Sequence, residues 1–119
     1  MDGNAIVIDV DGTARRIILP EQDRLRAMYA ALRCELVDVV AMTDKLDMWL
    51  DDEGMYNQPV NPYATELARR FGFVFQHYYG PVLLCGSTPD GDSTNLTTDQ
   101  ANAALAQVTD ILTSISGRL

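Results

Sequence analysis

Apolar and polar positions change period several times along this chain of 119 residues, and each change marks an element. Ile6, Ile8 and Val10 alternate with Val7 and Asp9, an extended pattern that ends at Asp11-Gly12. An Asp-Gly pair suits a two-residue type I′ turn, in which both central residues take positive φ. Thr13 to Leu19 then runs back as the second strand of a hairpin. Pro20 stops that strand and can sit in the first turn of a helix with Leu25, Met28, Tyr29 and Leu32 on its apolar face. A second hairpin follows. Leu36 to Met42 is rich in β-branched residues, Thr43-Asp44-Lys45 turns the chain, and Leu46, Met48 and Leu50 alternate with Asp47 and Trp49. Asp51-Asp52-Glu53-Gly54 closes it as an acidic, solvated loop.

Asn61 is placed to cap a short helix over Pro62 to Phe71, with Pro62 at its first position and Gly72 past its end. Phe71, Phe73 and Phe75 alternate, which predicts extended chain, and Pro81 to Gly86 reads as a buried strand. Thr97-Thr98-Asp99-Gln100 fits a capping box. Behind it Ala101, Ala104, Leu105, Val108, Ile111, Leu112 and Ile115 hold helical spacing, and Gly117 supplies a stop. The order β-β-α-β-β-α-β-α predicts one α+β domain over residues 1–119. Its economical form is a mainly antiparallel sheet of about five strands packed with two to three helices, the C-terminal one long.

Charge narrows the function classes. Nine basic residues against seventeen acidic ones leave −8, so direct binding to a nucleic-acid backbone is not expected. No positive segment precedes the short apolar run at Ile6, and no apolar stretch approaches a membrane span, so the cytosol is the expected compartment. Cys34 and Cys85 lack CxxC spacing and a neighbouring His, which reads as two buried free thiols rather than a metal site. Nothing in the sequence calls for a cofactor.

Candidate chemistry is sparse. Ile6-Val7-Ile8-Asp9-Val10-Asp11-Gly12-Thr13 resembles the first motif of the haloacid-dehalogenase phosphatases. That likeness implies Asp9 as nucleophile, Asp11 as general acid and Asp92 as a Mg²⁺ ligand. Such an enzyme needs a parallel crossover after Asp9 and a steadying Lys, whereas the chain returns at once and its one Lys, Lys45, stands in a turn. An Asp-Gly hairpin turn with a solvated Asp9 is the simpler reading. Asp90 to Ala101 fails the EF-hand register, with Asn95 and Ala101 where Gly and Glu belong. The single His77 has no nucleophile motif around it, so no catalytic residue is assigned and no enzyme is expected.

One feature rises above this background. Seven of the nine aromatics fall between Tyr56 and Tyr79, interleaved with Arg69, Arg70, Gln76 and His77. Aromatics and Arg dominate partner-binding hot spots, and they also stack a base and meet its phosphate. For the three Phe residues core and surface fit the pattern equally; Tyr78 and Tyr79 read as surface. The acids concentrate in turns, apart from this stretch.

The arrangement also resembles a family of small phage, plasmid and actinobacterial proteins, the domain of unknown function 3846. The resemblance rests on the Asp11-Gly12 hairpin, the helix after Leu19-Pro20 and the segment Trp49 to Gly54. It continues through Pro59-Val60-Asn61-Pro62-Tyr63-Ala64-Thr65, Tyr79 to Gly86 and Leu96 to Gln100. It implies a context, a mobile genetic element acting inside a bacterial cytosol, rather than a mechanism. The residues and that context together predict a small acidic, non-enzymatic interaction protein that modulates a host protein, by counter-defence or DNA mimicry. A nucleotide-sequestering protein is the alternative. The expected binding residues are Asn61, Tyr63, Arg69, Arg70, His77, Tyr78 and Tyr79. Unpaired sheet edges favour a homodimer.

Overall fold

The structure is a computed structural model that describes residues 4–116. The predicted stop at Gly117 lies outside the described residues. Two hairpins open the chain, β1 (Ala5–Ile8) with β2 (Ala14–Ile17) and β3 (Val37–Thr43) with β4 (Leu46–Asp51). Helix α1 (Arg24–Leu32) joins them. After β4 come the single turn α2 (Gly54–Asn57), α3 (Pro62–Arg70), β5 (Val82–Ser87), the two-residue β6 (Ser93–Thr94) and the long α4 (Thr98–Ser116). All pairings are antiparallel and the order is β2-β1-β5-β4-β3, with β6 beside the end of β5. The α+β reading stands. β5 enters last and lies between the two hairpins, which is why its run Val82 to Cys85 is apolar on both faces and fully buried.

Each face of the sheet has its own core. Ile6, Ile8, Met48, Val82 and Leu84 pack with Leu67 and Ala68 of α3 and Ala104, Val108 and Ile111 of α4. On the other face Ala5, Val7, Leu83 and Cys85 pack with Met28 and Leu32 of α1. The capping box of α4 closes as predicted: Thr97 N–H donates to Gln100 Oε1 at 2.8 Å and Gln100 N–H to Thr97 Oγ1 at 3.1 Å.

Several local expectations change. The first hairpin turns through three residues, Val10, Asp11 and Gly12, because Asp9 N–H bonds Thr13 O at 2.9 Å and Gly12 N–H bonds Asp9 O at 3.0 Å. Gly12 alone takes positive φ, 90°, and the Asp11 carboxylate instead accepts from Thr13 N–H at 2.9 Å. α1 starts at Arg24 rather than at Pro20, after Asp23 turns left-handed at φ 55°. It ends on Arg33, also left-handed at φ 54°, with Cys34 N–H closing back on Tyr29 O at 3.1 Å. The stretch after α3 joins no ladder until an isolated bridge pairs Tyr79 with Val60. Asp51 is not solvated; it ends β4 as a buried residue whose Oδ1 accepts from Glu53 N–H at 2.9 Å.

Candidate functional site

Three of the segments that carried the family resemblance, Asp11-Gly12, Pro59 to Thr65 and Tyr79 to Gly86, meet around Asn61 and Tyr63, and what they do there is hold the chain together. Asn61 is fully buried. Its Oδ1 caps α3 through Ala64 N–H at 3.0 Å, while its Nδ2 donates to Ile8 O at 3.1 Å and Gly80 O at 2.9 Å. Thr65 Oγ1 accepts from Tyr78 N–H at 2.9 Å. The ring of Tyr63 covers Gly12, where an added Cβ would come within 2.9 Å of it. Buried polar atoms are retained when every one is bonded, and those of Asn61 are.

Asn61 and Tyr78 therefore leave the set of surface residues. Tyr78, expected outside, is 2 % exposed and packs into the α3–α4 core. The arginines go elsewhere as well. Arg70 clamps α3 to α4, Nη1 on Gln107 Oε1 at 2.6 Å and Nη2 on Asp110 Oδ2 at 2.7 Å, and Arg69 pairs with Glu66. Arg70 therefore faces α4 and Arg69 stays on its own helix, whereas His77 and Tyr79 lie beside β3 and β4. The aromatic–Arg face expected from the sequence is thus divided. Asp9 accepts from Arg15 at 3.1 Å and faces Arg33 at 3.6 Å, and the antiparallel return after it builds no parallel crossover of the phosphatase kind.

What remains is a continuous surface along β3. A groove runs beside Val39, Val40 and Ala41, with Phe73, Phe75 and Gln76 as its wall and Tyr78 in its floor. At Gln76 and Tyr78 it meets a recess lined by Asp38, Asp51, Asp52, Met55, His77 and Tyr79. Phe75 is 95 % exposed, Met55 61 %, Val74 44 % and Val39 40 %. No Lys or Arg lines groove or recess among the described residues. Of the turn acids predicted to lie apart from the aromatic stretch, Asp51 and Asp52 instead border it, joined by Asp38, because residues 76–79 fold back to that end of β3 and β4. Sequence reasoning missed Phe75 as the exposed member of its triplet. The signal was present: Phe75 follows the helix stop at Gly72 with no apolar neighbour beyond Val74 to bury it.

A second concavity, about 310 Å³, lies among Leu46, Leu67, Phe71, Leu84 and Ala104, at the lower bound for enclosing a small ligand. Lys45 is the one charged side chain lining it among the described residues. Both cysteines are free. Burial pushes the Cys85 thiol up to about 11, and burial with the nearby Asp51 charge raises that of Cys34. Burial also raises the carboxyl of Asp47. Hydrogen bonds from Thr13, the backbone N–H above all, hold the Asp11 carboxyl below its ordinary range.

A family model described as a domain of unknown function (DUF3846) matches residues 1–110. No curated protein and no solved structure matches the chain. No helix among the described residues is long and apolar enough to cross a membrane.

Proposed function

The chain belongs to the domain of unknown function 3846 family, and from that membership and the β3 surface we propose that it is a small acidic interaction protein. In this reading it belongs to a mobile genetic element, acts in the bacterial cytosol and modulates a host protein without catalysis. The observation that carries the reading is Phe75, an aromatic side chain 95 % exposed beside an apolar groove and an acidic recess. Leaving a Phe in water forgoes about 1.5–3 kcal/mol of burial, which a partner surface recovers on docking. The surplus of −8 speeds encounter with a basic partner and keeps free copies apart.

Tagged chain incubated with bacterial lysate tests this. Wild type is expected to retain a defined host protein at low salt and lose much of it at high salt, and Phe75→Ser to retain far less. Equal retention by both would place the partner site elsewhere, and no retained protein at low salt would end the reading.

A further inference from the structure

We infer that the partner presents an extended strand which adds to β3 and carries a Lys or Arg where it passes Asp38 and Asp52, an inference that rests on the reading of this face as a partner site. The ladder decides which backbone groups are available. Leu36 O accepts from Asp52 N–H at 3.0 Å, and Asp38 and Val40 stand opposite Leu50 and Met48. By alternation Val37, Val39 and Ala41 turn their N–H and C=O groups away from β4. The Val39 N–H shows that direction, since the carboxylate of Asp38 takes it at 2.8 Å. A carboxylate from the adjacent residue is a removable cap. An incoming carbonyl replaces it, and the freed carboxylate then stands at the mouth of the recess that already holds Asp51 and Asp52.

Three further observations select a strand with a cation. The groove follows β3, whose seven residues match an ordinary strand in length. Its wall ends in Phe75, free to cover alternate apolar side chains of whatever lies there. Its acidic end has no Lys or Arg of its own among the described residues. A second copy of this chain fits less well, because it adds −8 to −8 and brings β3, with no cation, to face Asp38. Main-chain bonds along β3 would supply affinity, and the recess would supply the preference for a basic residue.

The probe is a phage-displayed library of random peptides of about nine residues, selected on the whole chain. Enriched sequences are expected to alternate apolar residues and to end in Lys or Arg. The best of them, synthesised, should bind about tenfold more weakly to Val39→Pro, which removes one outward N–H and leaves the β4 ladder whole. Asp38→Asn with Asp52→Asn should weaken it too, by a margin that shrinks with salt. Slowed amide exchange at Val37, Val39 and Ala41 in the wild-type complex identifies strand addition, and circular dichroism shows that each variant folds. No enrichment, enrichment at helical spacing, or equal binding to Val39→Pro overturns the inference. Wild type sedimenting as a dimer that Val39→Pro dissolves gives the edge to a second copy and overturns it as well. The two readings separate in the lysate experiment. Capture lost in Phe75→Ser but kept in Val39→Pro leaves the partner site and removes the strand, whereas capture unchanged in both removes the partner site itself.

Discussion

At one edge of the sheet β2 offers only Ala14, Arg15, Arg16 and Ile17, while at the other β3 offers Val37 to Thr43 with Asp38 as its single charge. Arg15 reaches Asp9, and Arg16 reaches Asn102 on α4, so both arginines of β2 are tied back to their own chain. Short length and cationic side chains are the ordinary defence of an open edge. β3 has neither; its protection is the bond from Val39 N–H to Asp38 and the like charge of neighbouring molecules. One edge is closed permanently and the other conditionally. The difference shows that an exposed strand is informative only when the means of its protection has been identified.

Substitutions can break this comparison, and the largest effect is expected where the wall beside β3 is anchored. Asn61→Ala removes three buried hydrogen bonds, those of Nδ2 to Ile8 O and Gly80 O and that of Ala64 N–H to Oδ1. Denaturant unfolding should register a loss of about 3 kcal/mol or more. A small change in the midpoint would mean that water replaces the side chain. Next in size, Asp38→Val uncovers the β3 edge and should turn a sharp sedimentation boundary into a concentration-dependent one. Arg15→Val on β2 should leave the boundary sharp, since four residues are too few to hold a partner. If both variants associate equally, the edges do not differ in the way described.

Phe75→Ser should change stability by no more than about 0.5 kcal/mol, as for an exposed site, despite the loss of a ring. A larger loss would show that Phe75 packs in solution. The smallest effect belongs to the β2 side. The Asp11 carboxyl is held below its ordinary value by Thr13, so its contribution is present above the unfolded value and is lost as pH falls through the folded one. Asp11→Ala should therefore lower the melting temperature slightly at neutral pH and leave it unchanged in strong acid. A difference that persists in acid would mean that the turn is weakened by something other than this charge.

Both hairpins, α3 and α4 were legible because local chemistry determines them: alternation, Asn61 with Pro62, the Thr97–Gln100 box. The details of turns were less so. Asp11-Gly12 is compatible with turns of two residues and of three, and the choice fell to Thr13, whose N–H the Asp11 carboxylate takes. α2 and β6 escaped because four and two residues carry no period. The site was misread for another reason. Adjacency in sequence suggested that Arg69, Arg70, His77 and Tyr78 share a face, but the turn at Gly72 sends them apart, and Tyr78 is drawn inward where Thr65 and Asn61 bind its backbone. A linear cluster becomes a surface cluster only if no turn lies within it.

The central place of β5 has a consequence for how the molecule is made. Both hairpins can close from local contacts, yet each keeps one unpaired inner edge, on β1 and on β4, until Val82 to Gly86 arrives between them. Joining them requires closure of loops that span most of the chain, which places the slow step of folding at β5. Leu83→Ala should accordingly lower the refolding rate, and Gly12→Ala, at a turn with φ 90° that is already formed before that step, should act mainly on the refolding limb as well. A chevron in which Leu83→Ala shifts only the unfolding limb would refute that order. During synthesis the same interval exposes two apolar edges at once. The nascent chain, unlike the finished one, depends on the speed with which its fifth strand emerges.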